Sequence, residues 1–160
     1  MDLQAQLIQA IEDKNLRMIK ALVDSGADLN EPYGPIATTP FMFAMNYFKK
    51  GEQVEQLIDM GGDVNSKNDH GETPLMIAVE EGKCDSILPW LFVDCGLKSL
   101  DDQDIFGNTA LMKALLDGHI KSKKDLIFSF IDYGADLTNL KNKRGLTAFD
   151  ILWCYSRYNN

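Results

Sequence analysis

The sequence predicts an all-α solenoid, in which stacked helix pairs are connected by short hairpin turns. Internal repeats of about 20–50 residues are typical of solenoids, and two interleaved series in this chain share one such period. Glycines that follow apolar runs recur 35, 35 and 38 residues apart, at Gly26, Gly61, Gly96 and Gly134. Threonines that open the next apolar run recur 34, 36 and 38 residues apart, at Thr39, Thr73, Thr109 and Thr147.

The residues at these positions also have the chemistry of helix ends and turns. A threonine at the N-cap accepts a backbone N–H, and a following proline, as in Thr73-Pro74, loses no hydrogen bond at the first helical position. Glycine after an apolar run suits the left-handed conformation that ends a helix. A second set of glycines lies two residues before a threonine, where a tight turn requires positive φ: Gly71, Gly107 and Gly145. Each unit is therefore predicted to run turn, helix, short loop, helix.

We expect one domain over residues 1–160. Its units are an N-terminal capping helix pair (1–35), three full repeats that together span 36–142 (36–68, 69–104 and 105–142), and a C-terminal half repeat (143–160). Outer units of a solenoid depart from the motif because one face meets solvent. The lengthening period places extra residues around 49–51 and 120–123, and the proline-rich segment 31–36 is expected not to form a regular hairpin. Asn30 and Asn65 are expected to hydrogen-bond the turn backbone.

Two stretches of the chain resemble the ankyrin repeat. Residues 68–82 read Asn-Asp-His-Gly-Glu-Thr-Pro-Leu-Met-Ile-Ala-Val-Glu-Glu-Gly, and residues 104–119 carry the same skeleton and end on Gly-His. The family has a period near 33 residues and opens its first helix with T-P-L-H-x-A. The resemblance spans nearly the whole chain and implies that Leu75, Ala78, Leu111 and Ala114 pack between neighbouring repeats. It leaves the function open, because one fold hosts many partners.

Charge narrows the classes of partner. The chain has 16 basic and 24 acidic residues and a formal net charge of −8. Such a chain repels nucleic acids and anionic membranes, so we expect neither as a partner and favour a basic protein. The N-terminus has no basic or long apolar part of a signal peptide, and no apolar stretch approaches a transmembrane length. These features favour a cytoplasmic protein.

The sequence contains no catalytic or metal-binding motif that would indicate an enzyme. It lacks the patterns GxxxxGK[ST], GxGxxG, HExxH and GxSxG, so we expect no catalytic residue and no cofactor. The acidic residues around His70 are split between a turn and a helix end, unlike a calcium loop, and no metal site is expected. Three scattered cysteines, Cys84, Cys95 and Cys154, form no CxxC pair and are expected to be small buried side chains.

The resemblance implies that a partner docks on the concave side, on the hairpin tips and the exposed positions of the first helices. The positions that match are the predicted binding residues: Tyr47, Asp69, His70, Glu72, Glu80, Glu81, Ile105, Phe106, Asn108, Leu116, Asp117 and Tyr155. Lys143 and Arg144 occupy the equivalent tip of the last hairpin. Ile105, Phe106 and Leu116 would form an apolar centre beside an acidic patch, which suits a basic partner with an exposed hydrophobic knob. Alternatively, the lengthened loops cover these apolar residues.

The predicted function is non-enzymatic protein recognition, as an adaptor or as a secreted effector that acts on host proteins. An alternative is an inhibitor or immunity protein that blocks a basic enzyme or toxin. A third is self-assembly through the C-terminal end, so the chain is expected to be a monomer or to self-associate weakly. Six apolar or aromatic residues in 149–158 would lie on one helix and cannot all face the preceding repeat, so some remain exposed. These contact a second protein or a second copy, or they wrap over the fourth repeat.

Overall fold

The computed structural model describes residues 2–80, 100–116 and 124–158, and eight helices lie within these ranges. They are α1 (Leu3–Glu12), α2 (Leu16–Asp24), α3 (Pro40–Ala44), α4 (Gly51–Asp59), α5 (Pro74–Glu80), α6 (Ala110–Leu116), α7 (Lys124–Asp132) and α8 (Ala148–Tyr158). The only extended pairing in these ranges is an isolated bridge between Tyr33 and Thr38. The predicted all-α class is therefore confirmed.

The first helix of each unit stacks on the first helix of the next. Helix α1 contacts α3, α3 contacts α5, α5 contacts α6, and α6 contacts α8. Second helices pack behind this row, since α2 contacts α1 and α7 contacts α6. One continuous apolar core fills the space between them, with Leu7, Phe41, Leu75 and Leu111 almost fully buried. The predicted packing of Leu75, Ala78, Leu111 and Ala114 inside the stack agrees with their burial.

The threonines start the helices as predicted. The N–H of Met42 donates to Oγ1 of Thr39 at 3.1 Å, and Pro40 occupies the first turn of α3. Thr73 and Thr109 accept the N–H three residues later in the same way, at 3.3 Å in each case. Each hydroxyl satisfies a backbone donor that has no partner within its own helix. The boundaries of the first helices thus follow from local sequence.

The three hairpins that precede α5, α6 and α8 share one turn built by a buried polar side chain. Oδ1 of Asn68 accepts the N–H groups of His70 and Glu72, each at 3.0 Å. Asp104 and Asn142 accept the corresponding N–H groups in their own hairpins. All three residues lie three positions before a glycine with positive φ. The turn glycines were predicted from the sequence, but the roles of Asn68, Asp104 and Asn142 in holding the turns were not.

Backbone hydrogen bonds join neighbouring hairpin tips into a row. The N–H of Asp69 donates to the carbonyl of Ile36 at 3.0 Å. The N–H of Ile105 donates to the carbonyl of His70, and the N–H of Lys143 donates to that of Phe106, both at 2.8 Å. We call residues 69–70, 105–106 and 143–144 the tip row. Its order and register are fixed by the main chain, so the side chains on it are presented at set positions.

The first hairpin differs from the other three, as the prolines in 31–36 indicated. The N–H of Tyr33 donates to the carbonyl of Thr38 at 3.0 Å, which makes this turn one residue wider than the turn from Asn68 to Glu72. The extra residue places Ala37 at a positive φ of 53°. The hairpin still reaches the row, because Ile36 accepts the hydrogen bond from Asp69.

Asn30 hydrogen-bonds turn backbone as expected, but the turn belongs to the next repeat, and the expectation about one cysteine was wrong. Asn30 does not build its own turn; its amide donates to the carbonyl of Gly61 at 2.7 Å and accepts the N–H of Asp63 at 2.8 Å, so it ties one repeat to the next. Within its own turn, the carboxylate of Asp28 accepts the N–H of Asn30. Cys154 is exposed on α8 rather than buried. Cys84, Cys95 and the segment 120–123 lie outside the described residues.

Replacing Gly107 by alanine is expected to destabilise the protein more than replacing Gly134. Both glycines have positive φ, 76° and 87°, so alanine pays a similar conformational cost of about 1 kcal/mol at each. A Cβ on Gly107 would lie 2.9 Å from Cα of Asn142 in the next hairpin, whereas a Cβ on Gly134 would meet nothing within 4 Å. Urea denaturation should show an additional loss of about 1 kcal/mol for Gly107→Ala. Equal losses would contradict the close approach of the two hairpins.

Candidate protein-binding surface

The centre of the tip row is apolar and exposed. Phe106 is 60 % exposed, and Ile105 and Leu116 are also exposed. The lengthened loop around 120–123, which the alternative would place over these residues, lies outside the described residues. Backbone bonds on both sides hold this tip, from Ile105 to His70 and from Lys143 to Phe106. An exposed aromatic residue on a fixed tip is typical of a binding anchor.

Beside this centre lies a buried lysine that the sequence analysis missed. Lys113 on α6 is only 8 % exposed, and its ammonium contacts three carboxylates. Nζ lies 2.9 Å from Oε1 of Glu72, 2.8 Å from Oε1 of Glu80 and 3.4 Å from Oδ2 of Asp104. The cluster therefore joins α6 to the second hairpin, to α5 and to the third hairpin. A lysine within the apolar run Ala-Leu-Met-Lys-Ala-Leu-Leu, at the position that Ile77 holds one repeat earlier, was the available signal.

The lysine and its partners stabilise each other's charged forms. Burial alone would raise the pKa of Glu72, but hydrogen bonds from Asn68 and Lys113 outweigh it, and the pKa is lowered from its usual value. Burial alone would lower the pKa of Lys113, but hydrogen bonds to Glu80 and Glu72 outweigh it, and the pKa is raised. Both shifts move the titrations away from neutrality. Glu72 and Lys113 are therefore both charged at physiological pH.

Glu72 was predicted to face outward and bind a partner; its side chain is mostly buried and has a structural contact, and its part in binding stays a prediction. Its side chain is 19 % exposed, and its carboxylate accepts from Nδ2 of Asn68 at 2.8 Å and from Lys113 at 2.9 Å. Both contacts lie inside the repeat stack, so Glu72 holds the second hairpin against α6. Glu80 remains 48 % exposed while it pairs with Lys113, and Asp69 is exposed at the tip. Of the predicted acidic residues that the structure describes, Asp69 and Glu80 are therefore the exposed ones.

A groove of about 480 Å³ opens between the first hairpin, α3 and α5. Apolar side chains from all three elements line it, and Glu72 and Glu80 lie at its edge: Tyr33, Pro35, Ile36, Phe43 and Ile77 are the apolar members. Of the predicted residues that the structure describes, Glu72 and Glu80 line it. Tyr47 is not among the residues that line the groove, but its ring packs on that of the lining residue Phe43, with 5.1 Å between the ring centroids. The wider first hairpin brings Tyr33 and Ile36 to this face, which the sequence analysis did not foresee.

A second groove of about 430 Å³ lies between the third and fourth hairpins. It brings together three predicted residues, Phe106, Asn108 and Leu116, with the exposed cations Lys143 and Arg144. Oδ1 of Asn108 accepts from the amide of Asn142 at 3.0 Å, so Asn108 also links two hairpins. Among the described residues, the charged side chains that line this groove are the cations Lys143 and Arg144, and those that line the first groove are Glu72 and Glu80. Glu81 and Asp117 lie outside the described residues.

A comparison with known protein families identifies the family to which this repeat architecture belongs. A model of ankyrin repeats, in three copies, matches residues 7–98, which is more than half of the chain. The chain belongs to the ankyrin repeat family. A comparison with curated proteins returned no match. Ankyrin repeats are in general protein–protein interaction modules, and the family is typically non-enzymatic.

This ankyrin repeat protein continues the same hairpin chemistry beyond the matched range, at Asp104 and Asn142. Its last helix, α8, buries Ile151 and leaves Phe149 and Trp153 exposed, with their rings stacked at 6.2 Å. Exposure of part of this helix is as predicted. Tyr155 is half-buried against the core and is not part of either groove. Its role in binding, and the self-association of α8, stay predictions.

The described residues also bear on two other kinds of function, membrane spanning and metal binding. Among residues 2–80, 100–116 and 124–158, no helix is both long and apolar enough to cross a membrane. Within the same ranges, no group of three or more histidine, cysteine or acidic side chains is arranged to hold a metal ion. The carboxylates that do converge, around Lys113, already have an ammonium as their common partner.

Proposed function

We propose that this ankyrin repeat protein binds a partner protein across the tip row and the two grooves beside it. The observation that carries the proposal is the exposed Ile105-Phe106 tip, which backbone hydrogen bonds hold on both sides. A preorganised anchor binds at a lower entropic cost than a mobile one. Apolar side chains in the grooves on either side, mainly in the first groove, provide further area that a partner's side chains can bury.

The charged groups next to the tip favour binding over catalysis. A general acid or base works best with a pKa near the operating pH. In Glu72 and Lys113 the pKa values are shifted away from neutrality, in opposite directions, by their mutual contact. These groups are suited to holding the shape of the surface and not to transferring protons. We place this activity in the cytoplasm, on the sequence grounds given above.

An inhibitor or immunity protein that blocks a basic enzyme is the second candidate. The net charge of −8 favours it, because such a field speeds the approach of a basic partner. Asp69, which belongs to the second tip, and Glu80, at the end of α5, are exposed carboxylates that such a partner could contact. An inhibitor would use the same surface as an adaptor, and the identity of the captured partner separates the two.

Phe106→Ala is expected to weaken binding of the partner by more than about 1 kcal/mol, or roughly fivefold or more, because an interface anchor is lost. The partner is first captured from source-cell lysate on the immobilised chain, identified by mass spectrometry and purified. Its affinity for each variant is then measured by calorimetry. Phe128→Ala is the matched control, since Phe128 is 61 % exposed but lies on α7, behind the first-helix row. Equal affinities for both variants and the wild type would place the interface elsewhere.

A further inference from the structure

The tip row changes its chemistry from one end to the other. With histidine counted as neutral, the second tip, Asp69-His70, carries one negative charge. The third tip, Ile105-Phe106, is apolar, and the fourth, Lys143-Arg144, carries two positive charges. Asp69, Phe106, Lys143 and Arg144 are all exposed. Acidic, apolar and basic side chains therefore follow one another along a line that the main chain fixes.

Neighbouring charges strengthen this order. Glu80 lies on the acidic side and is 48 % exposed, while Lys113, the cation between the two ends, is buried and paired with three carboxylates. Nζ of Lys67, in the second hairpin, lies 2.7 Å from Oδ1 of Asp102. The two charges offset each other, so this ion pair adds little net charge to the acidic side. The positive end lies on the rim of the second groove, with Phe106 and Leu116 on its wall. Each charged end thus borders an apolar groove.

From this order we infer that the partner presents an extended segment with a basic end, an apolar centre and an acidic end. This inference rests on the proposed binding function. The basic end lies on Asp69 and Glu80, the apolar side chain packs on Ile105 and Phe106, and the acidic end meets Lys143 and Arg144. A uniformly basic segment would be repelled by the fourth tip, so the expectation of a basic partner is refined to a bipolar one.

The spacing of the repeats sets the length of that segment. Two repeats separate the second tip from the fourth, and packed helices lie about 8–10 Å apart, so the charged ends are about 20 Å apart. An extended chain advances about 3.3 Å per residue, which corresponds to about six residues between the two charged ends. A helix of the same length would advance only about 9 Å and would not reach both ends.

The test uses synthetic peptides of about ten residues with a fluorescent label. The bipolar peptide has two arginines at one end, Leu-Phe at the centre and two glutamates at the other end. The matched peptide has the same residues with the charges alternating along it. Fluorescence anisotropy at low ionic strength should show at least about tenfold tighter binding of the bipolar peptide, because salt screening of exposed charges is then weak. No binding of the bipolar peptide up to about 1 mM would overturn the inference.

Reversing the basic tip should change the preference in a defined way. In Lys143→Glu with Arg144→Glu, both ends of the row are acidic. The bipolar peptide should lose about tenfold in affinity, and a peptide with arginines at both ends should gain a similar factor. Arg17→Glu with Lys20→Glu makes the same change in net charge on α2, where both residues are exposed, and should leave the preference unchanged. An equal effect of the two double variants would show that net charge, not charge order, decides.

One further arm separates this inference from the proposed function. If the bipolar and alternating peptides bind equally and both lose affinity on Phe106→Ala, the charge order is wrong while the tip row remains a binding site. If the captured partner binds Phe106→Ala as tightly as the wild type, the proposed function itself fails.

Discussion

Replacing Lys113 by methionine is expected to lower the free energy of unfolding by about 3 kcal/mol at pH 7. Removing one member of a buried ion pair leaves its partners charged and without compensation, which costs about 3–5 kcal/mol. Here the lower end applies, because Glu80 is 48 % exposed and water screens part of its charge. Methionine keeps the length of the aliphatic stem, so the loss reports the ammonium more than the packing. Urea denaturation of both proteins measures the difference.

The same pair of proteins should show a characteristic dependence on pH. In the wild type the lowered pKa of Glu72 stabilises the fold above the usual value of 4.5, and this contribution is lost as pH falls through the folded-state pKa. Without Lys113, burial and repulsion between carboxylates raise that pKa, so the variant gains relative stability on acidification. The difference between the two proteins should therefore shrink between pH 7 and about pH 4. A constant difference would mean that the loss comes from packing.

Neutralising the carboxylates provides the control for this prediction. In Lys113→Met with Glu72→Gln and Glu80→Gln, two of the three carboxylates that contact the ammonium carry no charge. Replacing all members of a buried ionic group is often close to neutral in stability, whereas removing one member is costly. The triple variant should recover more than half of the loss of the single variant. Failure to recover any stability would contradict the electrostatic explanation.

Leu111→Ala is expected to cost about 2–5 kcal/mol, because the substitution leaves a cavity in a fully buried site. Leu111 is 0 % exposed on α6, the helix that contacts α5, α7 and α8. The cavity would therefore lie where one repeat meets its neighbours, and stability in a repeat protein depends directly on such interfaces. Chemical denaturation gives the value. A loss below about 1 kcal/mol would show that Leu111 is not at an interface between repeats.

Leu116 offers a control on the same helix. Replacing Leu116 by alanine removes the same number of atoms as replacing Leu111. Leu116, however, is exposed on the wall of the second groove. Leu116→Ala should change stability by less than about 1 kcal/mol. Comparable losses for both leucines would mean that the effect arises from helix propensity and not from burial.

Features that depend on a few neighbouring residues could be predicted from the amino-acid sequence alone. The threonines predicted where α3, α5 and α6 begin, because an N-cap bond joins residues three positions apart. Turn glycines predicted positive φ at Gly71, Gly107 and Gly145, because no other residue adopts that conformation so readily. Repetition of these local signals with one period then fixed the stacked architecture, and with it the exposure of Phe106 on a hairpin tip.

The contacts between side chains of different repeats became known only from the three-dimensional structure. Lys113 lies 41 positions from Glu72 and 33 from Glu80, and Asn30 bonds a carbonyl 31 positions away. The repeat period predicts that equivalent positions of neighbouring repeats lie near each other. It does not predict that the ammonium of a lysine at an otherwise apolar position contacts carboxylates from three elements. For this reason the sequence did not reveal that Glu72, a predicted binding residue, also holds the second hairpin against α6. The grooves likewise depend on the packing of hairpins against helices, where the shape follows from long-range contacts and not from the local pattern.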